Sequence, residues 1–147
     1  MPPTIRPLTA ADEADWRRLW TSYLEFNETS VPEEVYQTTF ARLLDADRPQ
    51  QNGLIAVQQD GRAVGLVHYI FHPHNWKIED ICYLQDLYAD PDVRGTGVGR
   101  ALIEAVYDAA DANGTPGVYW TTQEFNATAR LLYDRIGELT PFIKYQR

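Results

Sequence analysis

Cys82 is the one cysteine in the chain, so no internal disulfide can brace the fold and no cysteine-rich metal site can form. No apolar run is long enough to cross a bilayer. The N-terminus shows no basic stretch followed by an apolar one, so no secretory signal is expected. Together these features predict a cytoplasmic protein with no membrane partner. Basic residues are in deficit as well: 13 Lys and Arg face 21 Asp and Glu, a formal net charge of −8. Such a surface repels nucleic acid and suits a cationic small molecule or a basic peptide. Repeats, linkers and low-complexity tails are missing, and 147 residues with 44% apolar content suit a single domain over 1–147.

What is present reads as alternating strands and helices. Residues 5–8 form a short strand next to Pro7. Asp12 is placed to cap a helix that carries Trp16, Leu19, Trp20 and Tyr23 on one stripe. Ser30, Pro32 and Glu33 mark the start of a second helix running through Val35, Phe40, Leu43 and Leu44. Strands at 54–58 and 63–71 flank Asp60–Gly61, a strong hairpin turn. Further strand lies within 78–88, and its apolar part, 81–87, suits a central position. A helix over 98–112 buries Leu102, Ile103 and Val106 and ends at Asn113–Gly114. A strand at 118–122, a helix at 126–136 with Ala129, Leu132, Tyr133 and Ile136 on one face, and a strand at 142–145 complete the order. That order predicts an α/β domain with a mixed sheet.

Arg94-Gly95-Thr96-Gly97-Val98-Gly99-Arg100 lies between a predicted strand and a predicted helix. Glycines let backbone approach a ligand, and the free N–H groups of the helix start, with two arginines beside them, form an anion site. A diphosphate is the natural occupant. The segment lacks the Lys-Ser/Thr of a P-loop, and its glycine spacing and late position differ from the dinucleotide fingerprint. A glycine-rich turn with no ligand remains the plain alternative.

Arg94-x-x-Gly97-x-Gly99 resembles the acetyl-CoA pyrophosphate loop of the GNAT superfamily of N-acetyltransferases. Leu84 to Ala89 is similar to that family's central strand, and Asn126 to Tyr133 to its last helix. The run from Trp120 to Asn126 and the ending Pro141 to Tyr145 resemble a branch with small histone, polyamine and D-amino-acid acetyltransferases. Gln85 stands where diamine acetyltransferases of that branch carry Glu.

The resemblance implies a mixed, mostly antiparallel sheet of six to seven strands flanked by four helices and splayed between its central strands. It implies acetyl transfer from acetyl-CoA to a primary amine by direct attack. The pantetheine arm would pair with backbone at Leu87 and Ala89, and an N–H at Leu87 or Tyr88 would meet the acetyl oxygen. Arg94, Gly95, Thr96, Gly97, Val98, Gly99 and Arg100 would hold the diphosphate, with Asn126 and Tyr133 also against the cofactor. Tyr133 would protonate the departing thiolate. Tyr23 and Phe26 are candidates for the acceptor pocket, with Gln85, Asp86 and Glu124; Glu79, Asp80, Asp86 or Glu124 would take the amine proton through water. His68, His72 and His74 sit on or after the strand at 63–71 and invite a metal, but the two histidines around Pro73 have no supporting third ligand and read as a surface loop. Small family members are often homodimers, and 142–145 is an edge for such pairing. A catalytically silent acyl-CoA-binding protein of the same fold is the alternative.

Overall fold

The structure, a computed structural model, describes residues 2–147. β1 (Thr4–Pro7) leads through a short 3-10 turn into α1 (Glu13–Phe26) and α2 (Glu33–Leu43). Next come β2 (Gln51–Val57), β3 (Ala63–His72) and β4 (Ile81–Ala89). They are followed by α3 (Val98–Ala112), β5 (Val118–Tyr119) and α4 (Ala127–Ile136). The strands lie side by side in chain order; all neighbours are antiparallel except β4 and β5, which are parallel.

The sheet separates two apolar layers, each traceable to a sequence period. On one side α1 buries Trp16, Leu19, Trp20 and Leu24 against Ile55, Leu66 and Tyr88, with Phe40 of α2 closing the group. Trp16 is the hub, its ring centroid 5.1 Å from Trp20 and 5.0 Å from Phe40. On the other side α3 buries Leu102, Ile103 and Val106 against Val67, Cys82 and Leu84. Burial pushes the Cys82 thiol up to about 11. α4 joins this layer through Leu132, Tyr133 and Ile136, and the Tyr107 hydroxyl of α3 donates to the Ile136 carbonyl at 2.8 Å.

The pairing of β3 with β4 slips by one residue. His68 faces Asp86 and Tyr69 faces Leu84, which leaves Gln85 as an extra, exposed residue. Such a bulge reverses the alternation of side chains. Cys82 and Leu84 therefore point to the α3 layer, whereas after the bulge Leu87 and Ala89 do so and Tyr88 joins the α1 layer.

The sheet has five strands among the described residues, not six to seven. The expected strand at 142–145 does not form, and the one expected at 118–122 contracts to two residues. A strand is stable only beside a partner. Past Tyr119 the chain leaves β4, so the tail has no adjacent edge to join. Leu139, Phe142, Ile143 and Tyr145 are accordingly 75, 78, 77 and 89% exposed.

Two expected caps differ too. α2 begins after Pro32 with no side-chain cap, so Ser30 plays no such part. Asp12 precedes α1 without capping it. Its carboxylate is engaged elsewhere: Arg6 Nη1 and Nη2 donate to it at 2.7 and 2.9 Å, and the Thr9 N–H at 2.8 Å. This ties β1 to the head of α1. The Arg6 bond is the main cause that lowers the Asp12 carboxyl to about 2. A depressed folded-state pKa stabilises the fold above the unfolded value near 3.8 and is lost as pH falls through about 2. Asp12→Asn is expected to lower unfolding free energy by about 1–2 kcal/mol at neutral pH, allowing for the half-exposed Arg6. The difference from wild type should close as pH falls from 4 toward 2, which urea titrations at each pH would check.

Candidate active site

β4 and β5 pair only through Cys82–Val118 and Tyr83–Tyr119. Beyond that pair the two chains diverge and a cleft of about 640 Å³ opens. Leu84, Gln85, Leu87, Tyr88 and Ala89 of β4 form one wall, and the segment from Trp120 to Gln123 faces them. Tyr23 and Phe26 of α1 reach the cleft from one side of the sheet, and Tyr133 of α4 from the other. The splay expected on resemblance is therefore present, with β5 at the sheet's edge instead of its centre.

The glycine-rich loop lines the same cleft with Arg94, Gly95, Gly97, Gly99 and Arg100. Gly97 caps α3 at φ 95°, and Gly95 sits at φ 80°, both in the left-handed region that side chains resist. A Cβ at either would meet nothing within 4 Å, so the space above both backbones is open. α1 and α2 carry acids in their first turns, whereas α3 carries none to oppose an anion. Arg94 is exposed, its Nε donating to the Ala89 carbonyl at 3.2 Å, and its guanidinium lies 5.8 Å from the ring centres of both Phe26 and Tyr88. Arg100 Nε pairs with Glu104 one turn on, at 2.7 Å. Val98 is buried in the α3 layer, and Thr96 bonds back to the Val93 carbonyl; neither lines the cleft. This set fits a diphosphate with a long extended arm: exposed glycine backbone, two cations, and an unpaired strand edge leading inward.

The profile of the acetyltransferase (GNAT) family matches residues 15–137. The chain belongs to that family. A curated relative, the D-amino-acid N-acetyltransferase HPA3 of Saccharomyces cerevisiae, is 40% identical over 143 residues, covering 97% of this chain and 89% of its own. The thialysine N-epsilon-acetyltransferase of Bos taurus is 34% identical over 74 residues, 50% of this chain and 43% of its own. The fold of AAC(6')-Iy, solved with a CoA bisubstrate analogue, superposes with a TM-score of 0.85 at 20% identity, over all of this chain and 98% of that one. The chain is thus an acetyltransferase, and no helix among its described residues is long and apolar enough to cross a membrane.

In this acetyltransferase Tyr133 sits half-buried in the cleft wall, its ring 5.5 Å from Trp120 in an edge-on contact. Burial raises its phenol above the ordinary value, which keeps the proton on oxygen throughout the neutral range. Trp120 is held by Gly137, where a Cβ would come within 2.8 Å of the indole. Asn126 lines the cleft and precedes α4 without capping it; its Nδ2 lies 3.5 Å from the Thr122 hydroxyl.

The acids named from sequence separate here. Glu79 and Glu124 are exposed, and Glu124 is not part of the cleft lining. Asp86 does not line it either, but lies on the α1 face, where its Oδ2 accepts from Trp20 Nε1 at 3.3 Å and contacts His68 Nδ1 at 2.8 Å. Tyr23, which does line the cleft, has its phenol pushed up first by burial and next by the Asp86 charge. His68 is buried on β3, inside the strand expected at 63–71 and not on the surface, while His72 Nε2 meets the Tyr119 hydroxyl at 2.8 Å and His74 accepts from the Trp76 N–H. Trp120 and His68 were not singled out for the site from sequence. For His68 the signal was its place in the alternation of Leu66, Val67, His68 and Tyr69, which puts it on the tryptophan side.

Proposed function

We propose that the chain, acting as one domain over 1–147, transfers acetyl from acetyl-CoA to the primary amine of a small cationic acceptor, with basic amino acids ranked first. The observation that carries this is the cleft between β4 and the segment after β5, floored by the open glycine loop at the head of α3. The likeness to a D-amino-acid N-acetyltransferase over nearly the whole chain supports the acceptor class, and the net charge of −8 favours a cation. Polyamines and lysine-bearing peptides rank next.

Acetyl-CoA supplies an activated thioester; the chain's residues bind, orient and move protons. N–H groups of Gly95, Gly97 and Gly99, flanked by Arg94 and Arg100, take the diphosphate, with Thr96 and Val98 shaping the loop. Backbone at Leu87 and Ala89 pairs the pantetheine amides, and the Leu87 or Tyr88 N–H receives the developing oxyanion. The acceptor stands beside Tyr23, Phe26 and Gln85, within reach of the Asp86 charge, and Glu124 is a rim carboxylate. Its ammonium gives a proton to a carboxylate through water. The amine nitrogen attacks the carbonyl carbon, a C–N bond forms, the nitrogen releases its second proton to solvent, and the C–S bond breaks. Tyr133 donates its hydroxyl proton to the leaving sulfur and regains one from solvent. The net products are the acetamide, CoA and one proton.

A CoA-release assay over D- and L-amino acids, polyamines, lysine peptides and aminoglycosides tests the reading. Amines bearing positive charge are expected to exceed their neutral isosteres in kcat/KM, and a ratio of one or less removes the electrostatic argument. Tyr133→Phe should lower kcat roughly 10- to 1000-fold with little change in acetyl-CoA affinity or unfolding midpoint, since the ring is kept. Unaltered kcat under chemistry-limited conditions would make Tyr133 a packing residue.

The exposed apolar tail also supports a homodimer in which 139–145 of each protomer covers apolar surface of the other. Phe142→Asp combined with Ile143→Asp should convert the dimer to monomer in light scattering, and a monomeric wild type would sink the idea.

A further inference from the structure

Asp12, His68, Asp90 and Thr115 are the buried polar residues among those described. Asp12 and Asp90 face arginines, and Thr115 meets Asn113, each bracing the fold. His68 differs: its partner is a carboxylate in the strand that walls the cleft.

The state of its ring follows from geometry. Trp16 Nε1 lies 2.9 Å from His68 Nε2. An indole N–H can only donate, so Nε2 must offer its lone pair. The proton of the neutral ring then sits on Nδ1, which donates to Asp86 Oδ2 at 2.8 Å. A second proton on His68 would set donor against donor at Trp16. Trp20 Nε1 donates to the same Oδ2 at 3.3 Å. Neither bond uses Oδ1. Two indoles of α1 and one imidazole of β3 thus hold an ionised carboxylate in one orientation, on the strand position that the Gln85 bulge turns toward α1. The titratable groups facing this carboxylate are His68 from β3 and Tyr23 from α1; Tyr83 and Tyr133 act on Tyr23 in turn. Arg94 faces Phe26 and Tyr88 at the cofactor end.

Resting on the acetyl-transfer reading above, we propose that His68 is a positioning residue for the acceptor: locked by Trp16 as the Nδ1–H tautomer, it holds the Asp86 charge against the cleft wall at Tyr23, where the ammonium is received. The array acts on amine capture and leaves the acetyl-CoA site alone. His68 donates to Asp86 from β3, whereas Trp20 and Tyr23 approach the same carboxylate from α1.

Two variants separate positioning from packing. Asn places an amide N–H where the Nδ1–H of His stands but leaves a cavity, whereas Phe fills the space and offers no donor. His68→Phe should raise the KM of a cationic amine about tenfold or more, with acetyl-CoA KM within about twofold of wild type. His68→Asn should recover most of the amine KM despite a lower unfolding midpoint. The reverse order, Phe near wild type and Asn impaired, would show that the ring only packs and would overturn the proposal, as would equal loss of both substrates. If either variant fails to fold, the wild-type enzyme still decides: long-range ¹H–¹⁵N spectra of His68 at neutral pH should show the Nδ1–H tautomer alone, and an Nε2–H ring overturns the lock. That spectrum needs no turnover, so an enzyme silent toward every amine would sink the acetyl-transfer reading without touching this readout.

Discussion

The extra residue in β4 governs the geometry around it. Were Gln85 in register, Asp86 would share the α3 side with Leu84, and an ionised carboxylate would face Leu102 and Val106. Burying an unpaired carboxylate among such residues costs several kcal/mol. The slip against β3 places Asp86 opposite His68 instead, where the Trp20 indole donates to it and the Trp16 indole donates to His68. It also follows, by two residues, the last ladder pair between β4 and β5. A bulge adds local twist, and the strand's later half has no parallel partner beyond Tyr83. One inserted residue thus puts Asp86 and Tyr88 on the α1 side of a strand whose Cys82 and Leu84 face α3.

The two sides differ in charge as well as position. At the far end of the cleft are Arg94, Arg100 and the bare head of α3. On the α1 side are Asp86 and a ring of aromatics. The cleft thus carries cations beside the glycine loop and a carboxylate behind Tyr23. The bulk charge of −8 says nothing of this polarity; it is set by which residues the turn and the bulge bring to the surface.

Local chemistry made much of this readable from sequence. The Trp16–Trp20 stripe, the Asp60–Gly61 hairpin, the α3 period and the glycine loop each depend on residues close in the chain, and each stands where the spacing placed it. What the sequence concealed depends on pairing between distant segments. Phe142, Ile143 and Tyr145 have strand-forming side chains, but a strand also needs an edge, and β5 ends too early to offer one. Asp12 and Ser30 looked like caps because both types cap helices; Arg6, six residues away but on another element, claimed Asp12. His68 falls inside the expected strand, but grouping it with His72 and His74 hid its burial four strand residues before the turn.

The burial of Cys82 bears on product handling. This enzyme class releases a free thiol at each turnover, and a reactive cysteine near the cleft would take acetyl by thioester exchange or trap CoA as a mixed disulfide. Cys82 adjoins Tyr83, the last residue paired to β5, yet it is fully enclosed and its thiol is raised to about 11. Burial disfavours the thiolate, the reactive form. The protein's single sulfhydryl is thus enclosed in the α3 layer and does not line the cleft where a thioester would be cleaved.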